Sequence, residues 1–191
     1  LDEEEVTLYP NQFAMLVSSS NEKKTALSRF VDYNKPLQKV HDYKNGVWDV
    51  IPRNKEQSFA INLLMDPDVS IITLLGKAGS GKTLLAIAAG LQQVLDADNL
   101  YKKLVVSRPV QPMGKDIGFL PGTLEEKMMP WLMPIQDNLE FLMGDKTALQ
   151  TYMHSGVIEI EALTYIRGRS ISNAFIIIDE SQNLTRHELK T

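Results

Sequence analysis

Apolar residues fall along this chain in short runs of two kinds. The first kind is continuous and β-branched: Ser70-Ile71-Ile72-Thr73-Leu74-Leu75, Leu104-Val105-Val106, Val157-Ile158-Glu159-Ile160 and Ala174-Phe175-Ile176-Ile177-Ile178. Such runs predict strands of a buried, parallel sheet. The second kind recurs at helical spacing. Phe59, Ala60, Leu63 and Leu64 predict a helix from Lys55 to Met65, closed by Asp66-Pro67. Thr83-Leu84-Leu85-Ala86-Ile87-Ala88-Ala89-Gly90-Leu91 is rich in helix formers and predicts a helix running to about Leu95. Thr123-Leu124-Glu125-Glu126 fits a capping box with Thr123 as N-cap. Pro130 and Pro134 then interrupt the pattern. Two helical pieces are expected, the second from about Trp131 to Met143, with a stop at Gly144. Met128, Met129, Trp131, Leu132 and Met133 suit core packing, or else a subunit or partner surface.

The first part of the chain reads differently. Val6-Thr7-Leu8-Tyr9 and Phe13-Ala14-Met15-Leu16-Val17 are strand-like, and Ser18-Ser19-Ser20-Asn21 looks like a loop. Leu37 to Tyr43 and Val47 to Ile51 flank Asn45-Gly46, a pair that predicts a type I′ hairpin turn. The expectation is a small β-rich module over residues 1–52, ended by Pro52, followed by an α/β unit over residues 53–191.

Composition narrows the chemistry. The 191 residues are 43% hydrophobic, enough for one α/β domain plus a small appendage. Cysteine is absent, which removes disulfides and thiolate metal sites and fits a reducing cytoplasm, the expected location. His41, His154 and His187 lie far apart and show no metal-ligand spacing. A net charge of −4 gives no support to non-specific nucleic-acid binding, leaving only a local basic groove for that role. No apolar run is long enough to span a membrane, and no membrane partner is expected.

The strongest chemical signal is Gly76-Lys77-Ala78-Gly79-Ser80-Gly81-Lys82-Thr83, which matches the phosphate-binding pattern G-x-x-x-x-G-K-[ST] between a predicted strand and a predicted helix. Its glycines allow successive backbone N–H groups to point at one anion. The helix that follows adds unpaired N–H groups and its positive end. Lys82 is assigned to the β- and γ-phosphates, and the Thr83 hydroxyl to Mg²⁺. Downstream, the run Ala174–Ile178 ends in Asp179-Glu180, two acids at the carboxyl end of a strand. Asp179 is assigned to Mg²⁺ through water and Glu180 to the attacking water. A kinase must avoid activating water, so Glu180 argues against a small-molecule kinase. A nucleotide-dependent switch or scaffold without significant turnover is the other alternative, ahead of the kinase.

Taken in order, Gly76 to Thr83, Val106-Ser107-Arg108-Pro109-Val110, Gly118-Phe119-Leu120-Pro121-Gly122, Tyr165-Ile166-Arg167-Gly168-Arg169 and Phe175 through Asn183 resemble the PhoH-like ATPase family. That family commonly carries Asp-Glu-Ala-Gln-Asn where this chain has Asp179-Glu180-Ser181-Gln182-Asn183, a small departure that leaves both acids in place. The resemblance implies a P-loop NTPase with a RecA/helicase-like parallel sheet. It further implies ATP and Mg²⁺ as cofactors, single-stranded RNA as partner, and unwinding or remodelling of RNA as the work. It also implies a homo-oligomer, in the form of a hexameric ring. Helicase-like ATPases place an adenine-reading glutamine ahead of the loop, here Gln57; the other reading is a polar residue on an amphipathic helix. Arg167 and Arg169 would stabilise charge on the transferring phosphoryl group or hold RNA, with a surface ion pair as the other reading. Arg108 follows a strand where such proteins touch nucleic acid. Residues 1–52 resemble the connecting region of members that carry a PIN-type nuclease domain in the same chain. Relatives of this kind place a further strand between the loop strand and the strand ending in Asp179. The core is therefore expected to be incomplete at its C-terminal end, within a longer polypeptide.

Overall fold

In a computed structural model, the structure describes residues 7–96, 100–109, 124–166 and 168–186. The chain divides into two compact units: residues 1–46 with 51–73, and residues 47–50 with 74–191.

The first unit is built on an antiparallel sheet of β1 (Gln12–Ser18), β2 (Asn21–Phe30) and β3 (Gln38–Lys39) in that order. Helix α1 (Lys55–Leu64) belongs with it. Phe59 of α1 stacks on Phe13 of β1, their ring centroids 4.3 Å apart. Asn62 exchanges two hydrogen bonds with the backbone of His41. Through these contacts α1 packs on the β-module, within the unit that also holds residues 51–73. A buried charge completes the packing. Arg29 donates to Asp66 at 2.6 Å and to Asn11, which satisfies a guanidinium that is 8% exposed.

The expected hairpin at Asn45-Gly46 does not form. Gly46 instead closes a local turn through its N–H to the Tyr43 carbonyl. Directly after it, Val47 and Val50 exchange both backbone hydrogen bonds around Trp48 and Asp49, whose φ angles are 48° and 61°. Positive φ at both central residues is what a tight hairpin turn needs, at a steric cost for a residue as large as Trp. The Trp48 side chain supplies the compensation. Its indole N–H donates to the Leu142 carbonyl, while its backbone N–H donates to the Gln92 side chain. The turn thereby fastens α2 (Lys82–Leu95) to α3 (Leu124–Met143) within the second unit.

The second unit holds a parallel sheet in the order β5 (Ile158–Ala162), β4 (Lys103–Arg108), β6 (Ala174–Ile178). Besides α2 and α3 it contains α4 (Lys146–His154) and the short α5 (Leu163–Ile166). Its core joins Ile87 and Leu91 of α2, Leu104 and Val106 of β4, Ile135 and Leu139 of α3, Leu149 of α4 and Ile158 of β5. Helix α3 is continuous through Pro130 and Pro134, contrary to the two pieces expected. Both prolines are exposed, four residues apart, while Met128, Ile135 and Leu139 are buried. The disrupted hydrogen bonds thus lie on the solvent side, and the buried apolar stripe carries the helix across them. Gly144 ends it as expected, at φ 66° with its N–H on the Glu140 carbonyl. The proposed N-cap Thr123 lies outside the described residues.

Two features set the site that follows. The run Ser70–Leu75, expected as a strand, pairs with no strand among the described residues, and Ile71 and Leu75 are 87% and 89% exposed. Strand β6 has β4 on one side and no paired strand on the other among the described residues, with Ile176 and Ile178 exposed.

Helix α2 lies close against the sheet at Gly90. A Cβ there would stand 2.6 Å from Leu104 Cδ1 and 3.1 Å from Phe175 Cδ1. Leu104 is fully buried and cannot swing aside. Alanine gains about 1 kcal/mol in helix propensity over glycine. Overpacking costs about 1–3 kcal/mol, and the steric term wins at such a distance. Gly90→Ala is expected to destabilise the second unit by about 1–2 kcal/mol, read as a lower midpoint in urea unfolding with unchanged slope.

Candidate functional site

Gly76 to Thr83 forms an open loop running into α2. Gly79 and Gly81 have φ of 75° and 84°, a region costly for residues with a Cβ. Gly81 is the N-cap of α2 and offers no side-chain acceptor, so the first-turn N–H groups are left uncapped by it. The Ser80 N–H bonds the Lys77 carbonyl at 3.3 Å and keeps the loop tight. At Gly76 a Cβ would approach Ser80 Oγ to 3.1 Å, so this turn also favours a residue without a side chain. Lys77, Ala78, Gly79 and Ser80 are exposed.

Lys82 folds back over this loop. Its ammonium donates to the carbonyls of Gly76 and Lys77 at 2.9 and 3.0 Å. The side chain thus lies along the loop it would serve, with its charge held only by neutral acceptors among the described residues. One residue later, the Thr83 hydroxyl donates to Asp179 Oδ1 at 2.7 Å, across 96 positions of sequence. Asp179 stands one step beyond β6, fixed by its N–H on the Ser107 carbonyl of β4 at 2.8 Å. Two hard oxygen donors therefore meet at the start of α2. That donor type suits Mg²⁺, which takes few protein ligands and keeps water and phosphate for the rest. Among the described residues there is no cluster of three or more acidic or histidine side chains, as a fully protein-built metal cage would need.

Glu180 follows in the left-handed region at φ 52° and ψ 37°, and caps a single 3₁₀ turn, Ser181–Asn183. Its carboxylate accepts a hydrogen bond from the Gln182 amide. Gln182 stands in the motif Asp179 to Asn183 without an assigned role; the folded turn brings it back on Glu180.

The remaining expected residues are placed as follows. Gln57 is in α1, in the first unit, where its side-chain carbonyl accepts from the Arg53 N–H at 2.8 Å. The loop Gly76–Thr83 is in the second unit. Arg167 lies outside the described residues. Arg169 donates two hydrogen bonds to Glu161, at 2.8 and 2.6 Å, and a third to Glu159. Glu161 in turn holds the Arg169 guanidinium more firmly protonated than usual. Glu159 also receives Lys103. Burial pushes its carboxyl upward, but Lys103 and Arg169 together outweigh this and leave it below the ordinary range. Arg108 ends β4, half-buried, level with Ala162 of β5.

Comparison with known proteins places this arrangement in a family. The model for "PhoH-like protein" matches residues 49–191. The chain belongs to the PhoH-like family. Over its whole length it is 49% identical to Protein PhoH2 of Bacillus subtilis (strain 168), spanning 43% of that relative. It is 44% identical to Protein PhoH2 of Mycolicibacterium smegmatis over 73% of this chain and 32% of the relative. A PhoH-like protein of Synechocystis is 43% identical over 61% of this chain and 34% of its own length. The chain thus spans less than half the length of these PhoH-like relatives. No helix among the described residues is long and apolar enough to cross a membrane.

Proposed function

We propose that this PhoH-like chain acts as a P-loop ATPase, hydrolysing ATP with Mg²⁺ and coupling that to unwinding or remodelling of RNA, with single-stranded RNA as its partner. The observation that carries the reading is the Thr83–Asp179 hydrogen bond. It joins the end of a glycine loop to the end of a parallel strand, as a nucleotide and metal site requires.

Each residue then has a role of its own. The loop N–H groups from Lys77 to Thr83 hold phosphate oxygens, and Lys82 leaves the Gly76 and Lys77 carbonyls to meet the β- and γ-phosphates. Thr83 and Asp179 hold Mg²⁺, which when bound supplies charge neutralisation at the phosphate oxygens. Glu180 orients a water in line with the γ-phosphorus and accepts its proton as the new P–O bond forms and the bond to the β-phosphate oxygen breaks. The products are ADP and inorganic phosphate. The RNA part is supported by the order of motifs and by Arg108 at the carboxyl end of β4, next in sequence to Ser107, whose carbonyl holds the Asp179 N–H. Assembly into a ring, with Arg167 completing the site of the next copy, belongs to the same proposal. The ion pairs of Arg169 favour a role for that residue in bracing β5 and the segment after α5. Gln57 remains the proposed reader of adenine.

The test is phosphate release by the full-length protein with and without single-stranded RNA. Magnesium-dependent release that rises with RNA is the expected result. ATP binding without release under either condition would replace the enzyme by a nucleotide-dependent switch.

A further inference from the structure

Building on Glu180 as the residue that aligns water, we infer that Gln182 is its positioning residue: its amide holds one carboxylate oxygen and leaves the other aimed at the water. The geometry supports this in three ways. Glu180 adopts a left-handed backbone, φ 52° and ψ 37°, which turns the chain sharply at the end of β6. The 3₁₀ turn closes back on it, with the Asn183 N–H on the Glu180 carbonyl at 3.0 Å. The Gln182 Nε2 then donates to Glu180 Oε2, and Oε1 has no partner among the described residues.

A glutamate side chain has several rotatable bonds, and an unheld carboxylate at a turn would sample many directions. Fixing one oxygen restricts where the other points, which is what in-line attack needs. An amide does this without adding a charge beside the carboxylate. Gln182 is exposed, so the bond contributes little to folding stability. Its effect falls on turnover. Asp179, one residue earlier, is fixed independently by Thr83 and the Ser107 carbonyl. Nucleotide and metal binding are therefore separable from the aim of Glu180.

The experiment is a double-mutant cycle on the full-length protein, measuring kcat, KM, ATP affinity and thermal unfolding for Gln182→Ala, Glu180→Gln and the pair. Gln182→Ala is expected to lower kcat by about 10-fold or more, with ATP affinity and melting temperature unchanged. In the Glu180→Gln background the same change is expected to have no further effect, because there is no carboxylate left to aim. Gln182→Glu should slow turnover at least as much as alanine, since a like charge replaces the donor. Wild-type kcat in Gln182→Ala would overturn the inference. So would an undiminished loss from Gln182→Ala on top of Glu180→Gln, or a fall in melting temperature that accounts for the slower rate. Unimpaired turnover in Glu180→Gln alone would instead overturn the role of Glu180, and that result is read without reference to Gln182.

Discussion

Glu180→Gln is expected to leave ATP binding intact and reduce hydrolysis by about 10²-fold or more. Glutamine keeps the size and the turn. Thr83 and Asp179 still meet at 2.7 Å, so the groups assigned to the metal are untouched. What disappears is the proton acceptor. The hydrogen bond from Gln182 becomes a contact between two amides, which either can satisfy by rotating. Calorimetry with ATP and a phosphate-release assay on the same preparation separate the two effects. Retained binding with retained turnover would place the water on another residue.

Lys82→Ala is expected to act on the earlier step. The Lys82 ammonium is held by the loop through two neutral carbonyls, those of Gly76 and Lys77. Exchanging neutral acceptors for phosphate oxygens is favourable, since charge-assisted hydrogen bonds are shorter and stronger. Losing such a contact costs about 3 kcal/mol, a fall in affinity of about 10²-fold. The Gly76 and Lys77 carbonyls face solvent and can turn to water once the ammonium is gone, so the fold should be little affected. Calorimetric titration of ATP against the purified variant checks this, and near-wild-type affinity would remove Lys82 from the site.

The glycine loop and the two acids were legible because each rests on local rules. Only glycine suits the loop at Gly79 and Gly81, and an apolar run ending in Asp179-Glu180 marks a strand with two acids just past its carboxyl end, although Ile177 alone of that strand is buried. The motifs assign Thr83 and Asp179 to one ion, while the direct hydrogen bond between them is visible only in the fold. Other elements depended on long-range packing. β2 carries Glu22, Lys23, Lys24 and Thr25 along a largely exposed half, which looks like a loop until β1 pairs with it. α4, with one buried residue, Leu149, gave little periodicity. The prolines of α3 argued for a break that Ile135 and Leu139 override from the buried face. The hairpin signal at Asn45-Gly46 lost to a turn at Trp48-Asp49, whose support comes from Gln92 and Leu142, far along the chain. Ser70–Leu75 has strand composition, but composition supplies no neighbour to pair with.

The open side of β6 gives the acids at its end a second allegiance. Among the described residues, Asp179 and Glu180 follow a strand paired along one flank, while Thr83, which bonds Asp179, belongs to a helix packed into the core. Any chain segment that engages that free flank would bias the same few residues that a nucleotide biases from the loop. Thermodynamic linkage then requires the influence to run both ways, by the same factor. A strand's grip on β6 and the grip of Gly76–Thr83 on phosphate would be two readings of one equilibrium.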